Sequence, residues 1–117
     1  MIPFSYRFHG HSSLRYVYKN GKAVRTHFAT LKSSTNPHRK NSRIAVVVGK
    51  KILKSSVGRN RIRRRIYEYI RQQIPRFSQN FDIALIVSSS EFLTMSSEDL
   101  VNQLEDLFVR SDLYKTP

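Results

Sequence analysis

Gly58-Arg59-Asn60-Arg61-Ile62-Arg63-Arg64-Arg65-Ile66 packs five arginines and one asparagine into nine residues. The apolar spacing around this stretch predicts a helix from about Arg59 to Gln73, ended by Pro75, with Ile62, Ile66, Tyr69, Ile70 and Gln73 or Ile74 on one stripe. Asn60, Arg64, Tyr67 and Arg71 then form one outward flank, and Arg61, Arg65 and Gln72 form the other. Arg63 lies near the stripe's edge, where its stem can pack while its guanidinium reaches solvent. Alone, such a helix start is unfavourable. Cations near the N-terminus oppose the macrodipole, and Arg61 and Arg65 are like charges one turn apart. Phosphates would relieve both conflicts, and the backbone N–H groups expected at the same helix end also favour an anion. The stretch implies an RNA-binding protein.

Outward from this helix the chain divides by charge. Residues 1–67 hold no Asp or Glu and seventeen of the 21 Lys and Arg, whereas residues 77–117 hold seven of the eight acids. The net charge of +13 points to a polyanionic partner on the basic side. With 117 residues and 39% hydrophobic content, residues 1–117 are read as a single domain around one modest core. The absence of cysteine excludes disulfides and thiolate metal sites and suits a reducing cytoplasm. The start M-I-P-F-S-Y-R-F is too short and polar for a signal peptide, and no apolar run reaches spanning length. A soluble cytoplasmic protein without a membrane partner is expected, because a membrane-surface helix would need the broad apolar side that the core already requires.

Ser12 or Ser13 can cap a short helix to about Asn20, with Leu14, Val17 and Tyr18 on one face and Gly21 as its stop. His27–Lys32 reads as a strand and Ser33–Asn41, with Asn36-Pro37 inside it, as a loop. In the next strand, Arg43–Gly49, Ile44, Val46 and Val48 share one face, while Ala45, Val47 and Gly49 form a small-residue face able to floor a groove. Lys50–Gly58 is basic and irregular, a short strand or a turn. Asp82–Val87 (D-I-A-L-I-V) is a continuous apolar run expected in mid-sheet, with Asp82 exposed at its start. A last helix is expected from Ser96 or Ser97 to about Arg110, capped at Ser96–Asp99 spacing and burying Leu100, Val101, Leu104, Leu107 and Phe108.

The block R-N-R-I-R-R at Arg59–Arg64, preceded by Arg43-Ile44 and by G-K-K at Gly49–Lys51, closely resembles the bacterial ribonuclease P protein component. That family's signature opens a helix downstream of a strand ending in K-K. The likeness covers almost the whole chain: Arg7-Phe8 is similar to the family's entry, L-R-Y-V-Y-K-N-G at Leu14–Gly21 to its first helix, and D-I-A-L-I-V to its last strand. It implies an α+β sandwich of order αβββαβα, with a mixed four-stranded sheet and a left-handed strand-helix-strand crossover carrying the arginine helix. The chain departs from the family at four places: the family usually has Phe where Leu14 stands, a leucine-like residue at Arg65, Arg or Lys at Tyr67, and a small polar residue at Val47.

The resemblance further implies the RNA-binding subunit of an endoribonuclease whose catalytic RNA, with bound Mg²⁺, removes the 5′ leader of precursor tRNA. No catalytic residue, metal site or tightly bound cofactor is then expected in the protein. Phosphates of the catalytic RNA are assigned to Lys50, Lys51, Arg59, Asn60, Arg61, Arg63, Arg64, Arg65 and Arg71, since guanidinium forks meet phosphates in bidentate geometry. The leader is assigned to a groove floored by Ala45, Val47 and Gly49 and edged by Leu14, Tyr18 and Phe28. Cleavage by the protein itself is disfavoured, because two-metal chemistry needs converging carboxylates and the arginine helix offers only Glu68. His9-x-His11 has no further ligands nearby and reads as a loop or cap. The main rival is a ribosome-associated or other structural RNA-binding protein. A DNA reader with Asn60 on adenine and an arginine on guanine lacks the preceding helix that such motifs use, so no DNA partner is expected.

Overall fold

A computed structural model describes Phe8 and residues 12–115. The elements are α1 (Ser12–Asn20), β1 (Lys22–Arg25), β2 (Ala29–Thr35), β3 (Arg43–Val47), α2 (Ser56–Gln73), β4 (Phe81–Val87) and α3 (Ser97–Arg110), with short 3-10 turns at Ile74–Arg76 and Ser90–Leu93. This is the expected αβββαβα order. The four strands form one mixed sheet in the order β1-β2-β4-β3. β1 and β2 pair antiparallel, as do β2 and β4, while β3 runs parallel to β4 and reaches it through α2.

β4 explains the layering. Six of its seven residues are buried and Ile86 is half-buried, so neither face can be left to water. Leu31, Ile44, Val46, Ile83 and Leu85 share one face by register, and there they join the cluster that Ile62, Ile66 and Ile70 of α2 and Leu104 and Phe108 of α3 complete. Ala84 points to the opposite face, is fully buried and stands outside that cluster. α1 packs there on β2 and β4, through a fully buried Val17. Gly21 makes the close return from α1 into β1 possible, since a Cβ there would lie 2.5 Å from the Val17 carbonyl oxygen and 3.1 Å from that of Ser33.

Several boundaries move. β2 begins at Ala29 and continues through Thr35, so Ser33–Thr35 belong to the strand and not to the loop. The remaining strand of the first group is β1, Lys22–Arg25, rather than a segment of Lys50–Gly58, and its pattern of three exposed residues and a half-buried Val24 carries no apolar alternation. β3 stops at Val47, and Gly49–Ile52 is a turn closed by Ile52 N–H donating to the Gly49 carbonyl at 3.1 Å. α2 starts at Ser56, a turn early, because the Ser55 hydroxyl accepts from Gly58 N–H at 3.1 Å. Four of the five arginines therefore lie in the second and third turns, and at the helix end Ser55 serves the Gly58 N–H. In α3 the Ser96 cap accepts from Asp99 N–H as expected, but Val101 faces outward and is 43% exposed.

Asp82 corrects the expectation most sharply. Instead of being exposed it is buried beside Arg43, which donates through Nη2 at 2.6 Å and Nε at 2.9 Å, while Asn36 Nδ2 donates at 2.7 Å. Arg43 and Asp82 are direct partners in the β3–β4 register, on the face that α1 covers, and the Phe8 ring lies 4.9 Å from the guanidinium carbon. Asp82→Ala would leave Arg43 a buried charge without its partner. The expected cost is about 3–5 kcal/mol, read as a lower urea midpoint with unchanged slope.

The end of the chain is clamped by tyrosines. The Tyr69 hydroxyl donates to Glu105 at 2.5 Å and meets the Tyr114 hydroxyl at 3.0 Å, while Arg76 grips Glu105 through two nitrogens and lies 3.9 Å above the Tyr114 ring. Burial, then the Glu105 contact, pushes the Tyr69 phenol well up, and burial pushes Tyr114 up to about 12. The unfolded phenols titrate near pH 10 (an ordinary tyrosine value) and the folded ones above it, so their contribution is whole below about pH 10 and is lost as pH rises through the folded values. Chemical denaturation across that range should show stability falling more steeply in the native chain than in Tyr69→Phe.

Candidate nucleic-acid interface

With Ile62, Ile66, Tyr69 and Ile70 turned into the core, α2 leaves Asn60, Arg61, Arg64 and Arg71 exposed and Arg59, Arg63, Arg65 and Tyr67 half-buried. The five clustered guanidinium groups do not have equal freedom. Arg59 Nη1 donates to the carbonyls of Leu53 and Lys54 at 2.9 and 2.7 Å, holding the connection that enters the helix. Arg65 donates to the Phe92 and Met95 carbonyls, both at 2.6 Å, and so ties α2 to the chain between β4 and α3. Arg63 donates to the Asn60 side chain at 2.5 Å. Arg71 pairs with Glu68 at 2.6 Å, and hydrogen bonding from Arg71 holds that carboxyl below its ordinary range. Among the described residues Arg61 and Arg64 have no hydrogen-bond or ion-pair partner.

Asn60, Arg63, Arg64 and Tyr67 line one open concavity of about 440 Å³. Tyr67 does more than line it. Its hydroxyl accepts from Val46 N–H at 3.0 Å, fixing α2 against β3. Lys50 and Lys51 are the two exposed residues at the head of the Gly49–Ile52 turn, between β3 and α2. The structure thus gives two kinds of basic residue in the arginine block. Arg61 and Arg64 present whole guanidinium forks, whereas Arg59 commits Nη1 and Arg65 both Nη1 and Nη2 to backbone carbonyls.

On the other side of the sheet, Ala45 and Val47 are half-buried and lie in register beside Ala84 and Ile86. Leu14 and Tyr18 are the half-buried residues of α1 on this side. Lys32 Nζ donates to the Tyr18 carbonyl at 3.0 Å and sits 5.6 Å from its ring centre, and burial raises the Tyr18 phenol. Gly49 lies beyond the strand end and is exposed. Phe28 belongs elsewhere: its half-buried ring meets Phe92 and His27 at 5.9 and 5.0 Å. Alternation within D-I-A-L-I-V sets Ala84 and Ile86 on one face, a signal that would have added them to the floor beside Ala45 and Val47. Arg7, His9 and His11 lie outside the described residues. Among the described residues no three His, Asp or Glu groups gather as a metal site, and no helix is long and apolar enough to cross a membrane.

Residues 2–112 match the Ribonuclease P family. The chain belongs to it. Relatives named ribonuclease P protein component include one from a Synechococcus strain, 30% identical over 86% of this chain and 75% of its own length, and one from Prochlorococcus marinus, 28% identical over 97% and 98%. The ribonuclease P protein of Staphylococcus aureus shares the fold with a TM-score of 0.82 at 23% identity, covering 94% of this chain and 98% of that one. Ribonuclease P protein components are parts of an endoribonuclease complex with an RNA partner, and membership gives this chain a subunit role in tRNA processing.

Two departures from the ribonuclease P pattern acquire a physical meaning. Where the family carries a leucine-like residue, Arg65 bonds two carbonyls; where it carries Arg or Lys, Tyr67 holds β3. Arg65→Leu should cost stability, by about 1–3 kcal/mol for charge-assisted bonds of this kind. It should leave the salt dependence of RNA binding unchanged. Thermal unfolding and a salt titration of binding check the two halves.

Proposed function

We propose that this chain is the RNA-binding subunit of ribonuclease P that clasps the catalytic RNA with the outer face of α2 and guides the 5′ leader of precursor tRNA along the α1 side of the sheet. The observation that carries the reading is the pair Arg61 and Arg64, exposed and, among the described residues, without a partner on a helix where Arg59 and Arg65 bond backbone carbonyls. Two cations so close repel one another, which a phosphate backbone relieves through bidentate contacts with weakly hydrated guanidinium heads. Lys50 and Lys51 extend the same surface as point charges, and the Asn60–Arg63 pair adds a polar edge. Arg59 and Arg65 act as braces that set where the clasp stands.

The leader groove consists of Ala45, Val47 and Ile86 as floor and Leu14 and Tyr18 as wall. Small apolar side chains and one half-buried tyrosine suit a single strand read by shape and stacking, at about 1–3 kcal/mol for a stacked base. Mg²⁺ and the cleavage step are assigned to the RNA. The acids nearest these surfaces are otherwise engaged, Asp82 by Arg43 and Asn36 and Glu68 by Arg71.

Reconstitution tests the proposal. Mixed with a bacterial ribonuclease P RNA and precursor tRNA at low Mg²⁺, the chain should stimulate leader removal over RNA alone, whereas a structural protein of another ribonucleoprotein would not. Arg61→Ala and Arg64→Ala should each flatten the plot of log affinity against log salt by roughly 0.7–0.9, one phosphate contact. Absence of stimulation would sink the subunit role, and an unchanged slope in both variants would sink the clasp.

A further inference from the structure

The molecule has a second basic surface that neither the clasp nor the groove uses. Once Leu14, Val17 and Tyr18 turn toward the sheet, α1 presents Arg15, Tyr16, Lys19 and Asn20 to solvent. Tyr16 is 60% exposed and is the one exposed Phe or Tyr among the described residues. Arg15 and Lys19 stand one helical turn apart as like charges, and among the described residues neither meets a carboxylate.

A solvated helix face ordinarily intersperses its cations with acids. The outer face of α3 does so, with Arg110 beside Asp106, and so does the C-terminal part of α2, with Arg71 beside Glu68. α1 has no such acid, since residues 1–67 contain none. The neighbouring Lys22 and Arg25 have a simpler explanation, because cations on an edge strand such as β1 discourage strand pairing with another chain. That explanation does not extend to a helix, nor does it cover an exposed tyrosine between two cations.

We propose that the outward face of α1 is a second RNA-contact surface, with Tyr16 stacking on an unpaired base and Arg15 and Lys19 holding phosphates of the same strand. RNA is favoured over a membrane because the family works with an RNA partner and because this face has one aromatic ring rather than a broad apolar side. α1 and α2 lie on opposite faces of the sheet, so the two basic surfaces point away from each other and one RNA segment cannot fill both. The site rests on the RNA-binding reading given above, and it adds a separate contact with unpaired nucleotides to it.

The chain contains no tryptophan, so Tyr16→Trp in the full-length protein gives a lone indole reporter at an exposed position. Titration with a short single-stranded oligoadenylate should quench it saturably. The quench should persist when Arg61→Ala and Arg64→Ala are added and disappear when Arg15→Ala and Lys19→Ala are added instead. In the Arg61→Ala/Arg64→Ala background, Tyr16→Ala should weaken oligoadenylate binding about 5- to 150-fold, the equivalent of about 1–3 kcal/mol for one stacked base. A quench lost with Arg61 and Arg64 but kept without Arg15 and Lys19 would overturn the proposal, as would quenching by anionic phospholipid vesicles and not by RNA. Leader removal by the reconstituted complex separates the two failures: stimulation without any quench removes only the α1 surface, whereas absent stimulation removes the subunit role itself.

Discussion

The burial of β4 on both faces is the constraint from which the arrangement follows. A strand of this kind forces helices onto both sides of the sheet, and the connection from β3 to its parallel neighbour β4 must travel through one of them. That helix is α2. Its apolar stripe is fixed by the need to cover Ile44, Val46, Ile83 and Leu85, and the arginines take the positions left over. The sheet then becomes a wall between the α2 flank and the α1 side. At one end of that wall the Arg43–Asp82 pair, sealed by Asn36, fastens β3 to β4 in register.

Arginine performs two physical tasks within the same short stretch. A planar head with five donors can bridge carbonyl oxygens that no backbone N–H reaches, and Arg59 and Arg65 do this on the segments before α2 and after β4. Lysine could not replace Arg65 at equal geometry, because the two bonds leave from separate nitrogens, Nη1 and Nη2, of one planar fork. Bracing α2 at these two positions limits its freedom to slide under the repulsion among its own cations. The backbone positions of Arg61 and Arg64 are set by that bracing, and an anion that binds their side chains need not also order the helix.

Local chemistry made much of this legible. The period of Ile62, Ile66 and Ile70 placed the inner face of α2, D-I-A-L-I-V placed the central strand, and Ser96 with Asp99 placed the start of α3. What escaped depends on partners far along the chain. Asp82 is buried because Arg43, 39 residues earlier, neutralises it, and the acceptors of Arg65 lie 27 and 30 residues later. β1 escaped because an edge strand with one half-buried residue carries no periodic signal, and its strand character comes from pairing with β2. The early start of α2 escaped for a local reason: Ser55 follows a basic turn, and the arginine run drew the boundary toward itself. Phe28 illustrates the ambiguity of a lone aromatic, since only the position of Phe92 decides that its ring joins the core fringe rather than the groove.

The separation of the proposed clasp from the proposed groove by a sheet bears on how such a subunit could add affinity. Two weak surfaces that engage parts of one RNA assembly gain from each other, since binding at the first raises the effective concentration at the second. The gain requires a rigid spacing, and Tyr67 supplies one element of it by joining α2 to β3 at Val46, between the floor residues Ala45 and Val47. With Leu14 and Val47 the proposed groove would lack the aromatic ring and hydroxyl that the family usually places there, and Tyr18 would be left as the stacking surface of its wall. A groove so built would discriminate little among bases. Its contribution would come instead from holding any single strand where the clasp has already brought the RNA, and for that task a fixed distance matters more than a strong local contact.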